Sequence, residues 1–238
     1  MISAVICAAG LSSRMGRKKE FLKLNDKPVT VLGSAVAAFS SVPSVEIIVI
    51  AIPPNSEEAA RAALSPELTG SKSNPKIFFV NGGQTRQASV FNALLFLNQY
   101  DPHYVLIHDG ARPWVSPSLI ESIIKAAEKY GAVIPALSLL ETPKEFTAPF
   151  ENVQPRDGAP IFIKTHLKRA NTGAAQTPQG FKFAEILLAH KKAAQQPCEF
   201  TDDAEVYGMF CGDVAVIPGA PENCKITFPQ DMETGSGQ

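Results

Sequence analysis

Short β-branched runs recur along the chain, AVICA at 4–8, VEIIVIAI at 45–52, KIFFVN at 76–81, YVLIH at 104–108 and GAVIPAL at 131–137. Between them stand VLGSAVAAFSSV, SEEAARAAL, RQASVFNALLFLNQ and SPSLIESIIKAAEKY, whose apolar positions fall three and four apart. Runs that are apolar without alternation belong to strands buried on both faces, and such strands are joined by crossover helices. The pattern predicts an α/β fold: a doubly wound, mostly parallel, Rossmann-like sheet reached by right-handed crossovers.

The rhythm breaks between 138 and 168, where prolines, mixed charge and the alternating APIFIKT suggest a β-arm leaving the sheet. A loop of that length in a compact domain is usually functional or an interface. After it, GFKFAEILLAHKKAAQ reads as a helix, DVAVIPG and CKITF read as strands, and 233–238 is a polar, Gly/Ser-rich tail. Residues 1–232 are expected to form one domain, since 238 residues suffice for one large core.

Net charge is −1, so anion binding must come from local clustering, and nothing calls for a nucleic-acid partner. Cys7, Cys198, Cys211 and Cys224 form no C-x-x-C pair and read as reduced, cytoplasmic thiols. The scattered histidines offer no zinc-ligand spacing. The opening MISAVICAAG lacks a basic n-region, and no segment reaches the roughly 18 apolar residues of a membrane span.

Local clustering appears at once. VICAAGLSSRMGRKKEFLKL ends a strand in Ala8, Ala9 and Gly10, which let backbone N–H groups approach a ligand, and Arg14, Arg17, Lys18, Lys19 and Lys23 follow with positive charge. It is neither G-x-G-x-x-G nor a P-loop. A solvated basic loop would have the same composition, but ligands bind at the carboxyl ends of strands in doubly wound sheets.

Three further constellations stand at strand or helix ends. VNGGQTRQASV frees the backbone at Gly82 and Gly83 and adds Arg86 and Ser89 near a helix start, although a plain Gly-Gly turn is common. VLIHDGARP places Asp109 at the end of a central strand, either as a magnesium-facing carboxylate or as a turn aspartate, with Arg112 available to pair with it. Arg169, QTPQ with Thr177, FTDDAE with Thr201 and NCKIT with Lys225 are scattered through the C-terminal half. TDDAE also reads as a helix N-terminus capped by Thr201. Apolar strands rarely take a lysine such as Lys225 inward unless an anion or carboxylate meets it.

AAGLSSRMG, GGQTRQASV, HDGARP, ETPK, QTPQGF, TDDAE and NCKIT, in this order from Ile2 to Met232, resemble the 2-C-methyl-D-erythritol 4-phosphate cytidylyltransferase family of the non-mevalonate isoprenoid pathway. The resemblance implies joining of CTP to methylerythritol 4-phosphate with release of pyrophosphate and help from Mg²⁺. By the same resemblance, Arg14 and Lys19 stabilise the transition state at the α-phosphate, and Arg169 and Lys225 position the acceptor's phosphate, with Thr142 and Thr201 in that pocket. Ala8, Ala9, Gly10, Gly83 and Ser89 match the cytidine-binding loops, and Gln84 stands where many members have an acid near the cytosine. Asp109 lies in the motif associated with metal and substrate, beside Arg112, and Thr177 lies in the QTPQ substrate motif. The arm implies a homodimer with shared sites.

An electrostatic site of this kind needs no histidine or serine triad, because the attacking phosphate monoester already carries about −1.5 to −2 charges near neutral pH. Two departures stand beside Lys19: the family's usual proline and glutamine are Lys18 and Glu20 here. Glu141 replaces the usual aspartate of the arm. Two other functions share these residues, a cytidylyltransferase for another acceptor such as ribitol 5-phosphate, and a non-catalytic CTP-binding scaffold.

Overall fold

The computed structural model describes residues 1–10, 18–24, 28–70, 75–148 and 161–232. Arg14, residues 149–160 of the excursion and the tail 233–238 lie outside the described residues. The strands are β1 (Ile2–Cys7), β2 (Val45–Ile52), β3 (Lys76–Asn81), β4 (Tyr104–Asp109), β5 (Ala132–Ser138), β6 (Lys144–Phe146), β7 (Ile163–His166), β8 (Gly173–Ala175), β9 (Gln179–Lys182) and β10 (Ala215–Pro218). The helices are α1 (Val31–Ser40), α2 (Glu57–Ala62), α3 (Pro66–Thr69), α4 (Arg86–Leu97), α5 (Pro117–Tyr130), α6 (Phe183–Ala193) and α7 (Asp203–Phe210). No helix among the described residues is long and apolar enough to cross a membrane.

The main sheet runs β3-β2-β1-β4-β9-β5-β10, with β8 paired to β5. β1 lies parallel to both β2 and β4, β2 to β3, and β5 to β10. The strands after β1 step first to one side of it, through β2 and β3, and then to the other, through β4, so the switch of winding direction falls between β1 and β4.

Alternate residues of the central strands feed two separate cores, as period-two side-chain geometry requires. Ala4 and Ile6 of β1, Ile48 and Ile50 of β2 and Leu106 of β4 pack with α1 and α5 on one face. Val5, Ile47, Val49, Val105 and Ile107 pack with α4, α6 and α7 on the other. Two-sided burial is why these runs are continuously apolar in sequence.

Three sequence expectations need correction. The segment 180–195 is not helical throughout: Gln179–Lys182 forms β9, antiparallel between β4 and β5, and α6 begins only at Phe183. Gly180 permits this insertion, since a Cβ there would lie 2.7 Å from Ile123 Cγ2. CKITF forms no strand. Ile226 is fully buried and its N–H bonds Ala111 O at 2.9 Å, which fixes the segment as an extended loop. The cap of α7 is Asp202, not Thr201, with the Asp202 side chain accepting from Glu205 N.

Within the excursion, β6 and β7 pair antiparallel in their own two-stranded sheet. Lys164 Nζ meets Glu145 Oε1 at 2.5 Å across that pair. Its surroundings expose large apolar side chains: Leu140 is 87% exposed and Phe162 65%.

Candidate active site

The carboxyl ends of β1, β2, β3 and β4 open into a cavity of about 560 Å³ at the switch point. Cys7, Ala9, Gly10, Pro53, Gly82, Gly83, Gln84, Ser89 and Asp109 line it from the strand ends, and Lys19, Glu20, Arg86 and Lys225 supply charge.

Small residues let the strand-end loops touch. A Cβ on Gly82 would lie 2.3 Å from Ala9 Cβ and 2.8 Å from Ser89 Oγ, so the β1 and β3 loops meet where only glycine fits. Ser89 then stitches the second loop. Its Oγ accepts from Gly83 N at 3.1 Å and donates to Thr85 O at 2.8 Å. Thr85 caps α4 by accepting from Ala88 N at 3.1 Å. The amino end of α4 therefore lies on the cavity wall, where its N–H groups and dipole favour an anion.

Asp109 is the electrostatic centre. Arg86 Nε lies 3.1 Å from its Oδ1, Lys225 Nζ 3.0 Å from its Oδ2, and Arg112 Nε 3.6 Å from the same oxygen. Burial alone would push this carboxyl up, but Arg86, Lys225 and Arg112 outweigh it and hold the group well below the ordinary carboxylate range. Lys225 is thus met by a carboxylate, but it is not turned inward from a strand: its side chain is 42% exposed and reaches that partner from a loop.

The backbone beneath Asp109 is fixed with equal care. Asp109 N donates to Thr177 Oγ1 at 3.0 Å, and Thr177 Oγ1 lies 3.0 Å from His108 Nδ1. His108 Nε2 contacts Arg112 O at 3.2 Å, a carbonyl that only accepts. Nε2 therefore carries the ring proton, Nδ1 accepts, and the Thr177 hydroxyl donates to it. Burial pushes His108 down to about 4, in keeping with a neutral ring.

The two glutamines of QTPQ act as clamps. Gln176 Nε2 donates to Ala220 O at 2.9 Å, and Asn223 Nδ2 donates to Thr177 O at 2.7 Å, which ties the NCKIT loop to the sheet. Arg112 Nη1 adds a bond to Asn223 O at 2.7 Å. Gln179 donates to Asp202 Oδ2 at 2.8 Å and accepts from Ala204 N at 3.0 Å, which fixes the start of α7.

Among the residues singled out in sequence, Ala9, Gly10, Lys19, Gly83, Gln84, Ser89, Asp109 and Lys225 share the cavity, and Ala8 is buried just behind its wall. Arg112 and Thr177 support Asp109 from below. Thr142, Arg169 and Thr201 are exposed and do not line it. Arg169 Nη1 instead donates to Leu140 O at 2.7 Å at the base of the excursion, and Thr201 Oγ1 donates to Glu205 Oε2 at 2.7 Å. Lys18 Nζ turns to Ser56 Oγ at 2.7 Å, whereas Lys19 and Glu20 reach the cavity.

Sequence reasoning undervalued Arg86, which it noted only as added charge. Besides Asp109, its Nη2 lies 2.8 Å from Asp203 Oδ2, as a charge contact rather than an aligned hydrogen bond. Burial would lower the Arg86 pKa, but Asp203 and Asp109 raise it well above the usual value. The available signal was the arginine at the first position of a helix that follows two glycines.

Known proteins share this architecture. A family model described as IspD, 2-C-methyl-D-erythritol 4-phosphate cytidylyltransferase, matches residues 2–236. The chain is 36% identical over 233 residues to the 2-C-methyl-D-erythritol 4-phosphate cytidylyltransferase of Pelotomaculum thermopropionicum, covering 97% of this chain and 91% of that one. It is also 36% identical over 237 residues to the bifunctional enzyme IspD/IspF of Brucella anthropi, where 98% of this chain covers 54% of the relative. The chain thus spans about half the length of such bifunctional relatives. The crystal structure of 4-diphosphocytidyl-2C-methyl-D-erythritol synthase from Anaerococcus prevotii superposes with a TM-score of 0.80 at 27% identity, over 99% of this chain and 94% of that one. The 2-C-methyl-D-erythritol 4-phosphate cytidylyltransferase from Thermus thermophilus gives 0.72 at 31% identity, over 98% and 96%. With the fold and nearly the whole length in agreement, the chain belongs to the 2-C-methyl-D-erythritol 4-phosphate cytidylyltransferase family.

Proposed function

We propose that this chain transfers the cytidylyl group of CTP to 2-C-methyl-D-erythritol 4-phosphate, giving 4-diphosphocytidyl-2-C-methyl-D-erythritol and pyrophosphate. The observation that carries the reading is the convergence of Lys19, Arg86 and Lys225 on one glycine-walled cavity at the switch point of the sheet. A phosphate oxygen of the acceptor attacks the α-phosphorus of CTP, the bond to the bridging oxygen breaks, and pyrophosphate leaves with that electron pair. Two polyanions must be brought together and the charge on the departing group neutralised, which is work for fixed cations.

The roles divide along the cavity. Ala9, Gly10, Gly83, Gln84 and Ser89 form the nucleotide end, where bare backbone meets base, ribose and phosphates. Lys19 faces the triphosphate, and the family resemblance assigns Arg14 the same role. Lys225 and Arg112 flank Asp109 at the acceptor end. The Cβ clash at Gly82 supports one specific outcome: Gly82→Ala should raise KM for CTP about tenfold, equivalent to ~1.4 kcal/mol, by wedging the two loops apart. An unchanged KM in steady-state kinetics would count against the assignment of the nucleotide end.

The described residues contain no cluster of three or more His, Cys, Asp or Glu side chains able to hold a metal alone. Mg²⁺, however, usually takes one or two carboxylates and completes its shell with phosphate oxygens and water. Asp109 does not fit that pattern: Arg86 meets its Oδ1 at 3.1 Å, and Lys225 and Arg112 meet its Oδ2 at 3.0 and 3.6 Å, so cations already surround the carboxylate and would repel a further dication there. The Mg²⁺ implied by the resemblance would be held by phosphate oxygens and water, and would neutralise charge on the phosphates.

The excursion supports a homodimer. Arg169 and Thr142, which the family resemblance assigns to the acceptor, lie outside their own chain's cavity, Arg169 bonded to the carbonyl of exposed Leu140, on an excursion that also exposes Phe162. A second copy would cover these apolar side chains and receive Arg169 and Thr142 at its own site. The free Cys7, Cys198, Cys211 and Cys224 support a reducing, cytoplasmic setting.

The purified chain, given Mg²⁺, CTP and methylerythritol 4-phosphate, should release pyrophosphate in a coupled assay. Release with ribitol 5-phosphate alone would replace the acceptor. CTP binding without release from any acceptor would leave only a scaffold.

A further inference from the structure

Behind the cavity wall lies a polar chain that the proposed chemistry does not use. Arg86 bridges two carboxylates, Asp109 at the cavity and Asp203 at the first residue of α7. Asp203 is 1% exposed, and its Oδ1 lies 3.1 Å from Nε2 of His190, a residue of α6 that is fully buried. The ring of His190 stacks on Phe91 of α4, with centroids 6.4 Å apart and planes 12° from parallel. Its Nδ1 has no hydrogen-bond partner among the described residues.

The directions of these contacts can be fixed. Burial would raise the Asp203 carboxyl, but Arg86 and the bond from His190 hold it below the ordinary value, so it is ionised and can only accept. His190 therefore donates Nε2–H. Three helices, α4, α6 and α7, are thus joined through the Asp203 carboxylate, and the Arg86 guanidinium that meets it also fixes the rotamer of Asp109, on which Lys225 and Arg112 converge. A buried aspartate held by one histidine donor and one arginine is costly to maintain for packing alone, since apolar side chains of similar volume would stabilise the same helices as well or better.

We infer that His190 and Asp203 are positioning residues: they hold Arg86 so that it clamps Asp109, and through Asp109 they set the acceptor end of the cavity. This rests on the cytidylyltransferase reading given above. Arg86 opens α4 beside the glycine loop, but that loop is held by its own bonds, Gly83 N to Ser89 Oγ and Ser89 Oγ to Thr85 O, so loss of the polar chain falls on Asp109 and the acceptor end. Breaking the polar chain frees Arg86 from α7, lets Asp109 and its partners Lys225 and Arg112 rearrange, and leaves Gly10, Gly83 and Ser89 in place.

The test compares wild type, Asp203→Asn, His190→Leu and His190→Gln, assayed for pyrophosphate release with each substrate varied in turn, well below the unfolding temperature of every variant. Gln can present an amide N–H near the position of Nε2, whereas Leu keeps bulk and removes the donor. Expected are a rise of about tenfold or more in acceptor KM, with KM for CTP within about twofold, for Asp203→Asn and His190→Leu. His190→Gln should restore most of the loss. A partly unfolded enzyme would lose kcat without separating the two KM values, and would not discriminate Gln from Leu. Equal effects on both substrates, or equal behaviour of Gln and Leu, would overturn the inference while an active wild type left the cytidylyltransferase reading intact. An inactive wild type would defeat that reading first, and the inference with it.

Discussion

Replacing Lys19 by alanine is expected to lower kcat by about a hundred- to a thousandfold, the usual result of removing one preorganised charge from a site where negative charge develops. Lys18→Ala should change kcat little. The two lysines are neighbours in sequence, and composition alone does not say which one meets the triphosphate. The backbone decides. Lys19 begins a short 3-10 turn, Lys19–Phe21, whose Phe21 packs on the core face shared with α1, and that anchoring fixes where each side chain leaves the chain. Lys18 points across to Ser56, the residue before α2, with its Nζ 2.7 Å from the hydroxyl. Lys19 faces the cavity with Glu20, which is only 4% exposed. Turnover of both variants under saturating CTP and acceptor measures the contrast. A crippled Lys18→Ala beside an active Lys19→Ala would move the catalytic role by one residue and undo this placement of the loop.

The parts of this molecule that could be read from sequence are those whose physics is local or periodic. β1, β2 and β4 are buried on both faces, so their side chains are apolar without interruption, and α5 carries its apolar stripe between a serine cap and a final glycine. The glycine-ended loops were visible because only small residues permit the contacts at Gly82 and Gly83. β9 was hidden for a different reason: four residues with a buried Gln179 and a Gly180 pressed against α5 carry no strand signature, and the following helix pattern absorbs them. CKITF misled in the opposite sense. It alternates like a strand, yet Ile226 alone among its apolar side chains is fully buried, and Lys225 points to a carboxylate on another element. The Arg86 network was illegible because its members lie on α4, β4, α7 and α6. Each is an ordinary polar residue until the sheet brings the helix ends together.

That network carries the second large effect. Arg86→Leu should destabilise the fold by about 3 kcal/mol at neutral pH, the cost of leaving a buried carboxylate without its cation, which corresponds to a fall in Tm of roughly 6–12 °C for a chain of this size. The pH dependence follows from the sign of the carboxylate shifts. In the wild type, Asp203 and Asp109 titrate below the ordinary value of 3.8, so their contribution to stability is fully present above that pH and is lost only as pH falls through their lower folded values. Remove Arg86 and the burial of Asp203, opposed then by His190, pushes its carboxyl upward. A raised carboxyl reverses the linkage: the variant is penalised most where the group must stay charged, and protonation relieves it as pH falls toward about 4. Asp109 moves less, since Lys225 and Arg112 still meet it. Thermal unfolding followed by circular dichroism at stepped pH should therefore show the gap in Tm between wild type and Arg86→Leu narrowing from about pH 7 to about pH 4.5. A gap that stays constant would mean that the variant loses packing rather than charge compensation, and that Arg86 is not the counter-ion on which buried Asp203 depends.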